Sequence, residues 1–187
     1  MRILGVDCGL CGGAAVIDTV APHLVDAIDL PVYGVGAKRR IDAIMFANWI
    51  RVHEPAIAYV ERSGAWPHQG NASAFIYGRA TGALETVVQL TGVELHIVEA
   101  ATWKRAFGLR GGDKEACRLA VLAIFPASAH LFGRKRDHNR AEATLLAAFG
   151  CDQLLLGVAP LRSTIDLGQV AAVSTRGSNP PRVGCMK

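Results

Sequence analysis

Two segments of the chain share a pattern that restricts the fold: a short apolar run that ends in a carboxylate. Arg2–Asp7 has the sequence RILGVD, and Ala56–Glu61 has the sequence AIAYVE. Apolar runs of this length, bounded by glycine or polar residues, are typical of strands buried inside a sheet. If the two strands belong to one sheet, the carboxylates of Asp7 and Glu61 can lie side by side.

The segments around these strands predict a mixed α/β domain, because a three-stranded meander is followed by alternating helices and strands. Beyond the two acid-terminated strands, further strands are predicted at 14–17, 23–30 and 94–98, and helices at 40–53, 71–91, 102–107, 113–125 and 137–149. The segment 31–37 is predicted to be a loop. In the helix at 40–53, the residues expected to face the core are Ile41, Ile44, Met45 and Trp49.

Composition and length predict one compact domain with a tail. Hydrophobic residues make up 51% of the chain and charged residues 19%, which excludes a disordered protein. We expect a single domain over residues 1–152 and a C-terminal extension over 153–187 that is flexible from about residue 160, where periodicity gives way to Ser, Gly and Pro. No membrane-spanning run or secretory segment is recognisable, so a cytoplasmic protein is predicted.

The helix predicted at 137–149 has polar residues on a stripe that should face the core. At 100° per residue, that stripe contains His138, Glu142, Leu145, Leu146 and Phe149. Its first turn therefore offers an imidazole and a carboxylate, which are costly to bury without a partner or a metal. A first turn that is simply solvated is the alternative interpretation.

If this helix covers the two strand ends, the carboxylates of Asp7, Glu61 and Glu142 converge. Three such groups repel one another unless a divalent cation neutralises them, and oxygen-rich clusters suit Mg²⁺ or Mn²⁺. Two ions ~3.5–4 Å apart can activate water and stabilise the leaving oxygen in phosphodiester hydrolysis. His138 could complete the shell of the second ion or orient the attacking water. The predicted catalytic and metal-binding set is therefore Asp7, Glu61, His138 and Glu142.

Five short motifs resemble those of RuvC-type Holliday-junction resolvases, in particular the plastid and phage-like branch. They are Gly5-Val-Asp7-Cys-Gly9, Tyr59-Val-Glu61, Trp103-Lys104-Arg105-Ala-Phe-Gly-Leu109, Asp113-Lys114-Glu115-Ala116 and Asp137-His138-Asn139-Arg140-Ala-Glu142-Ala. The resemblance covers roughly residues 2–150. It implies an RNase H-like fold, with a mixed five-stranded sheet flanked by helices, and a homodimer. It also implies Mg²⁺ or Mn²⁺ and symmetric nicking of four-way DNA junctions.

The last motif departs from the bacterial resolvases, which usually carry two acids three residues apart on this helix. Here position 139 is Asn, and the pair is His138 and Glu142 at i, i+4. Asp137 lies about 140° round the helix from Glu142, so we predict an accessory residue or an N-cap there. Lys114 is a second accessory candidate, which could balance charge in the transition state; surface charge at a helix start is the alternative.

Basic clusters favour a nucleic acid as partner, although the formal net charge is only +4. The predicted DNA contacts are Lys104, Arg105, Arg134, Lys135, Arg136 and Arg140, together with Trp66, whose ring could stack on a base at the branch point. Each of these residues could instead be solvated surface or core. The spacing of Gly78 and Gly82 marks a helix face that packs either within the monomer or between subunits.

The sequence thus predicts a metal-dependent, structure-selective endodeoxyribonuclease of DNA recombination and repair. It would resolve Holliday junctions by paired symmetric nicks that leave 5′-phosphate ends, near the nucleoid of a bacterial or phage-infected cell. The alternatives are an RNase H-like nuclease for flaps, forks or R-loops, and a catalytically weak junction-binding module. An actin-like phosphotransferase also starts with a strand, Asp, Gly and a hairpin, but it needs a second glycine-rich phosphate loop, which we do not find.

Overall fold

The computed structural model describes residues 1–62, 64, 69–109 and 114–154. Trp66, Asp113 and the C-terminal extension from residue 155 onward lie outside the described residues. In the described part of the chain, none of the helices has the length and apolar character needed to cross a membrane.

The described residues form seven strands and five α-helices. The strands are β1 (Arg2–Asp7), β2 (Gly13–Asp18), β3 (His23–Asp29), β4 (Val32–Tyr33), β5 (Arg40–Ile41), β6 (Ile57–Glu61) and β7 (Glu94–Val98). The helices are α1 (Ala43–His53), α2 (Asn71–Leu90), α3 (Ala100–Ala106), α4 (Lys114–Ile124) and α5 (His138–Leu154). Short 3₁₀ helices occupy Gly36–Lys38, Pro126–Phe132 and Lys135–Asp137.

Five strands form one mixed sheet, as predicted, and their order is β3-β2-β1-β6-β7. The meander β1-β2-β3 is antiparallel, whereas β6 runs parallel to both β1 and β7. Val6 of β1 pairs with Val60 of β6, so the next residue in each strand, Asp7 and Glu61, stands at the same end of two adjacent central strands. This register places the two acids side by side.

Alternation along the strands decides which face of the sheet each side chain joins. Leu4 and Val6 of β1 pack in the core that α1 and α2 cover. Ile3 of β1 and Tyr59 of β6 pack in the opposite core, which α3, α4 and α5 cover. Asp7 and Glu61 follow Ile3 and Tyr59 at even spacing, and therefore lie on the α5 face of the sheet.

Helix α5 packs unusually close to the centre of the sheet, because glycines face it. A Cβ atom at Gly5 would collide with the α5 backbone at Ala143, and one at Gly13 would lie 2.7 Å from the backbone oxygen of Asn139. Any larger residue would push the helix outward. The close contact brings the side chain of Glu142 to the strand ends.

Two details differ from the sequence-based expectation. Ile44 and Met45 are 77% and 62% exposed, while Phe46 and Ile50 are buried. The cause is the start of α1: Asp42 caps the helix by accepting a hydrogen bond from the Met45 amide at 3.0 Å, and residues 40–41 pair as a strand with 32–33. The expected loop and the first helical turn are thus replaced by a small two-stranded sheet.

The second difference concerns α5. The predicted pattern was a helix with one apolar stripe, but every residue from 141 to 152 is buried. The helix lies between the sheet on one side and α3 and α4 on the other, so its small alanines face a second layer of protein. The fold therefore places Glu142 in the interior and not on a surface helix.

Candidate active site

Three carboxylates meet where β1, β6 and α5 converge. One oxygen each from Asp7, Glu61 and Glu142 lies within 4.8 Å of the other two. Within the described part of the chain, no other group of three His, Cys, Asp or Glu side chains is close enough to hold an ion. The predicted convergence of the strand-end acids with the helix is therefore observed.

The cluster is electrostatically unfavourable without a counter-ion. Burial raises the pKa of Asp7 well above its ordinary value, and the charges of Glu142 and Glu61 raise it further. Burial also raises the pKa of Glu61, although a hydrogen bond from Trp103 and the charge of Lys104 oppose that shift. Like charges that share a buried site disfavour ionisation of one another, so the ionised cluster stores repulsion that a bound cation can relieve.

Two residues of α3 hold the carboxylates in place. The indole Nε1 of Trp103, which is fully buried, donates a hydrogen bond to Glu61 Oε2 at 2.9 Å. The ammonium of Lys104 lies 3.4 Å from Glu142 Oε2 and 4.9 Å from the centre of the Trp103 ring. Burial disfavours the charged form of Lys104, but the charges of Glu142 and Glu61 outweigh it and raise the pKa of Lys104. This lysine is thus an internal counter-ion of the cluster.

The donor set fits a hard divalent cation. Carboxylate oxygens are the ligands that Mg²⁺ and Mn²⁺ prefer. Oxygens that share one Mg²⁺ are at most about 4.2 Å apart, twice the ordinary bond length of roughly 2.1 Å. The three oxygens here lie within 4.8 Å of one another, so side-chain rotation would have to draw them closer around one ion. Two of the three charges remain after Lys104 is counted, so a divalent cation also matches the charge.

His138, the fourth predicted ligand, is not part of the three-carboxylate cluster. Its Nε2 lies 2.7 Å from the ammonium of Lys114, and its Nδ1 lies 3.0 Å from the backbone oxygen of Lys135. The carbonyl can only accept, so Nδ1 carries the proton and Nε2 accepts from Lys114. Lys114 lies at the mouth of the site, since it also lines the cavity that Asp7 and Glu142 border. The role of His138 as a ligand stays a prediction.

Asp137 is buried, with 2% of its side chain exposed, and its carboxylate forms ion pairs with two arginines. It accepts hydrogen bonds from the backbone amide and the Nε of Arg134, both at 2.8 Å, and from Arg140. Burial alone would raise the pKa of Asp137, but these bonds outweigh it and lower the pKa to about 2. Asp137 therefore fastens the 3₁₀ turn before α5. Its predicted role as an accessory residue or an N-cap of the helix stays a prediction.

The predicted DNA contacts fall into two groups. Arg105, Lys135 and Arg136 are exposed. Arg134 and Arg140 pair with Asp137 and also approach Asp29 of β3, at 3.7 and 3.0 Å. Arg140 and Lys104 are largely buried, whereas Arg134 is exposed although it pairs with Asp137. DNA contact by the exposed residues stays a prediction.

A cavity of about 690 Å³ opens beside the carboxylates. Asp7, Glu142 and Lys114 border one end of it. Its walls come from the turn between β1 and β2 and from the first half of α2, with Tyr77 among the lining residues. The cavity was not predicted, since its walls are far apart in sequence. Trp103 belongs to one of the motifs that resemble the resolvases, but helical periodicity gives no signal for its hydrogen bond to Glu61.

Comparison with known proteins supports the resemblance. No family model matches the chain. The chain is 30% identical over 116 residues to the chloroplastic Holliday junction resolvase MOC1 of Chlamydomonas reinhardtii; this covers 60% of the chain and 13% of that relative. The chain thus spans about an eighth of the length of the curated relative that it matches.

Two solved structures have the same fold. One is Thermus thermophilus RuvC in complex with a Holliday junction substrate, with a TM-score of 0.57 and 17% identity over 86% of this chain and 98% of that chain. The other is Thermus thermophilus RuvC, with a TM-score of 0.54 and 16% identity over 80% of this chain and 94% of that chain. The predicted RNase H-like fold is confirmed, and so is the resemblance to the RuvC-type resolvases in sequence and fold.

Proposed function

We propose that this chain, which has the RuvC-type fold, is a metal-dependent endonuclease that resolves Holliday junctions by paired symmetric nicks. The observation that carries the proposal is the meeting of Asp7, Glu61 and Glu142 at the end of the two central strands. The sequence relative and the structural neighbour that holds a junction support four-way DNA as the substrate class.

The carboxylates of Asp7, Glu61 and Glu142 would hold Mg²⁺ or Mn²⁺, and two ions per site are what the sequence predicts. When bound, such ions activate water and stabilise the leaving oxygen of a phosphodiester, which gives 5′-phosphate ends. The chain itself supplies the geometry. Trp103 occupies one oxygen of Glu61, which fixes the carboxylate and directs its other oxygen. Lys104 restrains Glu142 and reduces the repulsion among the acids.

Lys114 and His138 are placed to act on the DNA side of the cluster. The ammonium of Lys114 lies against the imidazole of His138 at the mouth of the cavity. A cation in that place can contact a phosphate oxygen and stabilise charge that develops there during the reaction. Once Lys114 turns to the phosphate, the unprotonated Nε2 of His138 becomes available to a second ion or to water.

A homodimer would provide the two sites that paired nicking needs. Gly78 and Gly82 of α2 support this part of the proposal, because no heavy atom of the described residues lies within 4 Å of a Cβ built at either glycine. Phe75 on the same helix is 67% exposed. The small-residue face is therefore not used for packing within the described monomer, and it leaves room for a second helix. The cellular location near a nucleoid stays a prediction of the sequence.

The test is cleavage of a synthetic four-way junction with Mg²⁺, Mn²⁺ or Ca²⁺. Wild-type protein should make paired nicks with Mg²⁺ or Mn²⁺, and Glu61→Gln should abolish them. Glu94→Gln is the matched control, because Glu94 is exposed at the start of β7 and outside the cluster. Wild-type protein that leaves the junction intact with all three ions would contradict the proposal, as would full activity of Glu61→Gln.

Competition between substrates separates junction resolution from the two alternatives. Equal amounts of labelled junction, flap and fork are mixed with limiting protein, and initial rates are compared. Faster cutting of the flap or fork would identify an RNase H-like nuclease for other branched DNA. Tight junction binding without cutting would identify a junction-binding module.

A further inference from the structure

We propose that a second, smaller cavity, between the β4–β5 ribbon and the middle of α2, binds a phosphate group through Arg40 and Arg79. The cavity has a volume of about 160 Å³, with Tyr33 and Arg40 on the side of the ribbon and Arg79 and Ala83 on the side of α2. The inference goes beyond the proposed function. It rests on that function only where DNA is named as the source of the phosphate.

Two arginines share this cavity without an acid beside them. Arg40 and Arg79 both line it, whereas no Asp or Glu of the described residues does. Neither arginine takes part in an ion pair within the described part of the chain. Arg118, Arg134 and Arg140, by contrast, each pair with a carboxylate. Like charges that face one small cavity repel each other, and an anion between them relieves the repulsion.

The β4–β5 ribbon presents Arg40 to the cavity. Tyr33 and Arg40 are directly opposite each other in the ribbon, so their side chains leave from the same face. Nη1 of Arg40 donates hydrogen bonds to the backbone oxygens of Ala37 at 3.2 Å and of Arg39 at 2.8 Å. Because both bonds use Nη1, the N–H groups on Nη2 and Nε can be donated to a ligand, with the phenol of Tyr33 beside them.

The ribbon is fixed to the domain before any ligand arrives. Ile41, which follows Arg40, is buried and packs in the core that α1 and α2 cover. The amide of Asp42 donates a hydrogen bond to the backbone oxygen of Pro31 at 2.8 Å, which closes the ribbon at its base. A preformed site loses little conformational freedom when it binds, so more of the interaction free energy appears as affinity.

The opposite wall of the cavity is one face of α2. Arg79 and Ala83 are four residues apart, and Ala80 and Ala83 are three apart, so all three lie on the same side of the helix. The guanidinium carbon of Arg79 lies 5.3 Å from the centre of the Phe75 ring, one turn earlier, which restrains the arginine. The short side chains of the two alanines leave the space between the arginines open.

The size of the cavity and the geometry of its cations favour a phosphate group. Its volume of about 160 Å³ is about half the lower limit for sites of drug-sized molecules, roughly 300 Å³. A guanidinium donates two parallel N–H bonds to neighbouring phosphate oxygens, which adds geometric selectivity to the charge. A small tetrahedral anion thus fits, whereas a large metabolite does not.

DNA is the nearest source of a phosphate. Leu10 lines this cavity and also the larger cavity that Asp7 and Glu142 border, so the two spaces lie on either side of one residue. A strand with one phosphate at the carboxylates carries further phosphates along its backbone, within reach of the arginines. Such a contact adds affinity and orientation but reads no sequence. Free inorganic phosphate offers the same chemistry, and the experiment separates the two sources.

Two measurements on wild-type protein, Arg40→Gln, Arg79→Gln and Ala83→Leu test the site. The first is junction affinity with Ca²⁺ at several salt concentrations, with single phosphates of the junction replaced in turn by uncharged methylphosphonates. The second is binding of inorganic phosphate without DNA, by calorimetry. Arg51→Gln is the matched control, because it removes the same charge from an exposed residue outside the cavity. Ala83→Leu fills the cavity without a change of charge, so the test stays decisive if an arginine variant fails to fold.

If the phosphate belongs to DNA, Arg40→Gln and Arg79→Gln should each weaken junction binding by about tenfold, the effect of losing a hydrogen bond between charged groups. The slope of log affinity against log salt should fall by about 1. A methylphosphonate at one position should cause the same loss in the wild type and no further loss in Arg40→Gln. Ala83→Leu should also weaken binding, and Arg51→Gln should bind like the wild type.

If the phosphate is a free anion, inorganic phosphate should bind to the wild type and to Arg51→Gln, but to none of the three cavity variants. Junction affinity should then be the same in all of the proteins. This result also supports the site, and it identifies the second source.

Three results would overturn the inference. One is cavity variants that bind both the junction and inorganic phosphate as the wild type does. Another is a loss in Arg40→Gln that adds to that of the methylphosphonate at every position, which is a general effect of charge. The third is a changed monomer–dimer equilibrium, measured by sedimentation, with both kinds of binding unchanged, since a carboxylate of a second copy would then fill the cavity. If the wild type binds no junction at all, the proposed function fails instead, and binding of inorganic phosphate alone decides about the site.

Discussion

Asp137 and Glu142 lie five residues apart at the start of the same helix, and both are acidic and buried, yet their surroundings are opposite. Asp137 is enclosed by the guanidinium groups of Arg134 and Arg140. Glu142 shares its site with Asp7 and Glu61, with one lysine among them. Burial raises the pKa of Asp7 and would raise that of Asp137; the neighbouring acids add to the shift at Asp7, whereas the arginines reverse it at Asp137. The difference teaches that the partners, not the burial, decide whether an acid is structural or available to a cation.

The largest expected effect compares the two acids by activity. Glu142→Gln keeps the shape of the side chain but removes a charge from the cluster, so junction cleavage should fall by about a thousandfold or more, given the several kcal/mol that cation catalysis supplies. Asp137→Asn should keep cleavage per folded molecule within about tenfold of the wild type. Single-turnover rates at saturating Mg²⁺ measure both. A reversed order of the two variants would contradict the division into structural and functional acids.

Stability should show the opposite order. The pKa of Asp137 is about 2 in the folded protein, below its ordinary value of 3.8, so its ionised form stabilises the fold by about 2 kcal/mol at neutral pH. This contribution is present above pH 3.8 and is lost as the pH falls toward 2. The free energy of unfolding of Asp137→Asn, measured in urea at pH 7, should therefore be about 2 kcal/mol lower than that of the wild type. This gap between the two proteins should shrink below pH 3.8. A gap that is independent of pH would show that the charge of Asp137 is not the cause.

A third prediction concerns Trp103, which holds Glu61 in the three-carboxylate cluster. Trp103→Phe removes the N–H that holds Glu61, and loss of a hydrogen bond to a ligand typically weakens metal affinity by about tenfold or more. Mn²⁺ affinity, measured by calorimetry, is the readout. Phe107→Leu is the control, since Phe107 is equally buried in the same core but does not contact the carboxylates. Equal losses in both variants would mean that Trp103 acts only through packing.

The smallest expected effect is a gain in stability. Because the pKa of Asp7 is raised in the folded protein, its ionisation opposes folding, and wild-type stability should fall as the pH rises above 3.8. Asp7→Asn removes that buried charge and should raise the free energy of unfolding of the metal-free protein at pH 7. The gain should disappear at acidic pH, and added Ca²⁺ should stabilise the wild type more than the variant. Destabilisation by Asp7→Asn at pH 7 without metal would contradict the proposed repulsion.

The sequence predicted the part of the site that depends on local pattern. β1 and β7 have the predicted bounds, and the apolar runs that end in Asp7 and Glu61 are central strands. Alternation and parallel pairing then bring the acids together, which the pattern alone can anticipate. The helical position of Glu142 followed from its spacing to Leu145 and Leu146 in the same way.

What could not be predicted depends on residues that are distant in sequence. The pairing of Arg140 with Asp29 of β3 is one such contact, and the sequence around Arg140 gives no signal for it. The capping of α1 by Asp42 moved its core face away from Ile44. Helices α3 and α4 cover the side of α5 that faces away from the sheet. The hydrophobic pattern of α5 itself does not predict this second layer.

The central claim is that the three carboxylates form one cation site that cuts DNA. The most direct test is to titrate Mn²⁺ into the wild type, Glu61→Gln and Asp137→Asn, and to measure binding and junction cleavage in the same samples. We expect cleavage to rise with Mn²⁺ occupancy in the wild type and in Asp137→Asn, and both signals to be lost in Glu61→Gln. Cleavage without a divalent cation, or unchanged Mn²⁺ binding and cleavage in Glu61→Gln, would contradict the claim.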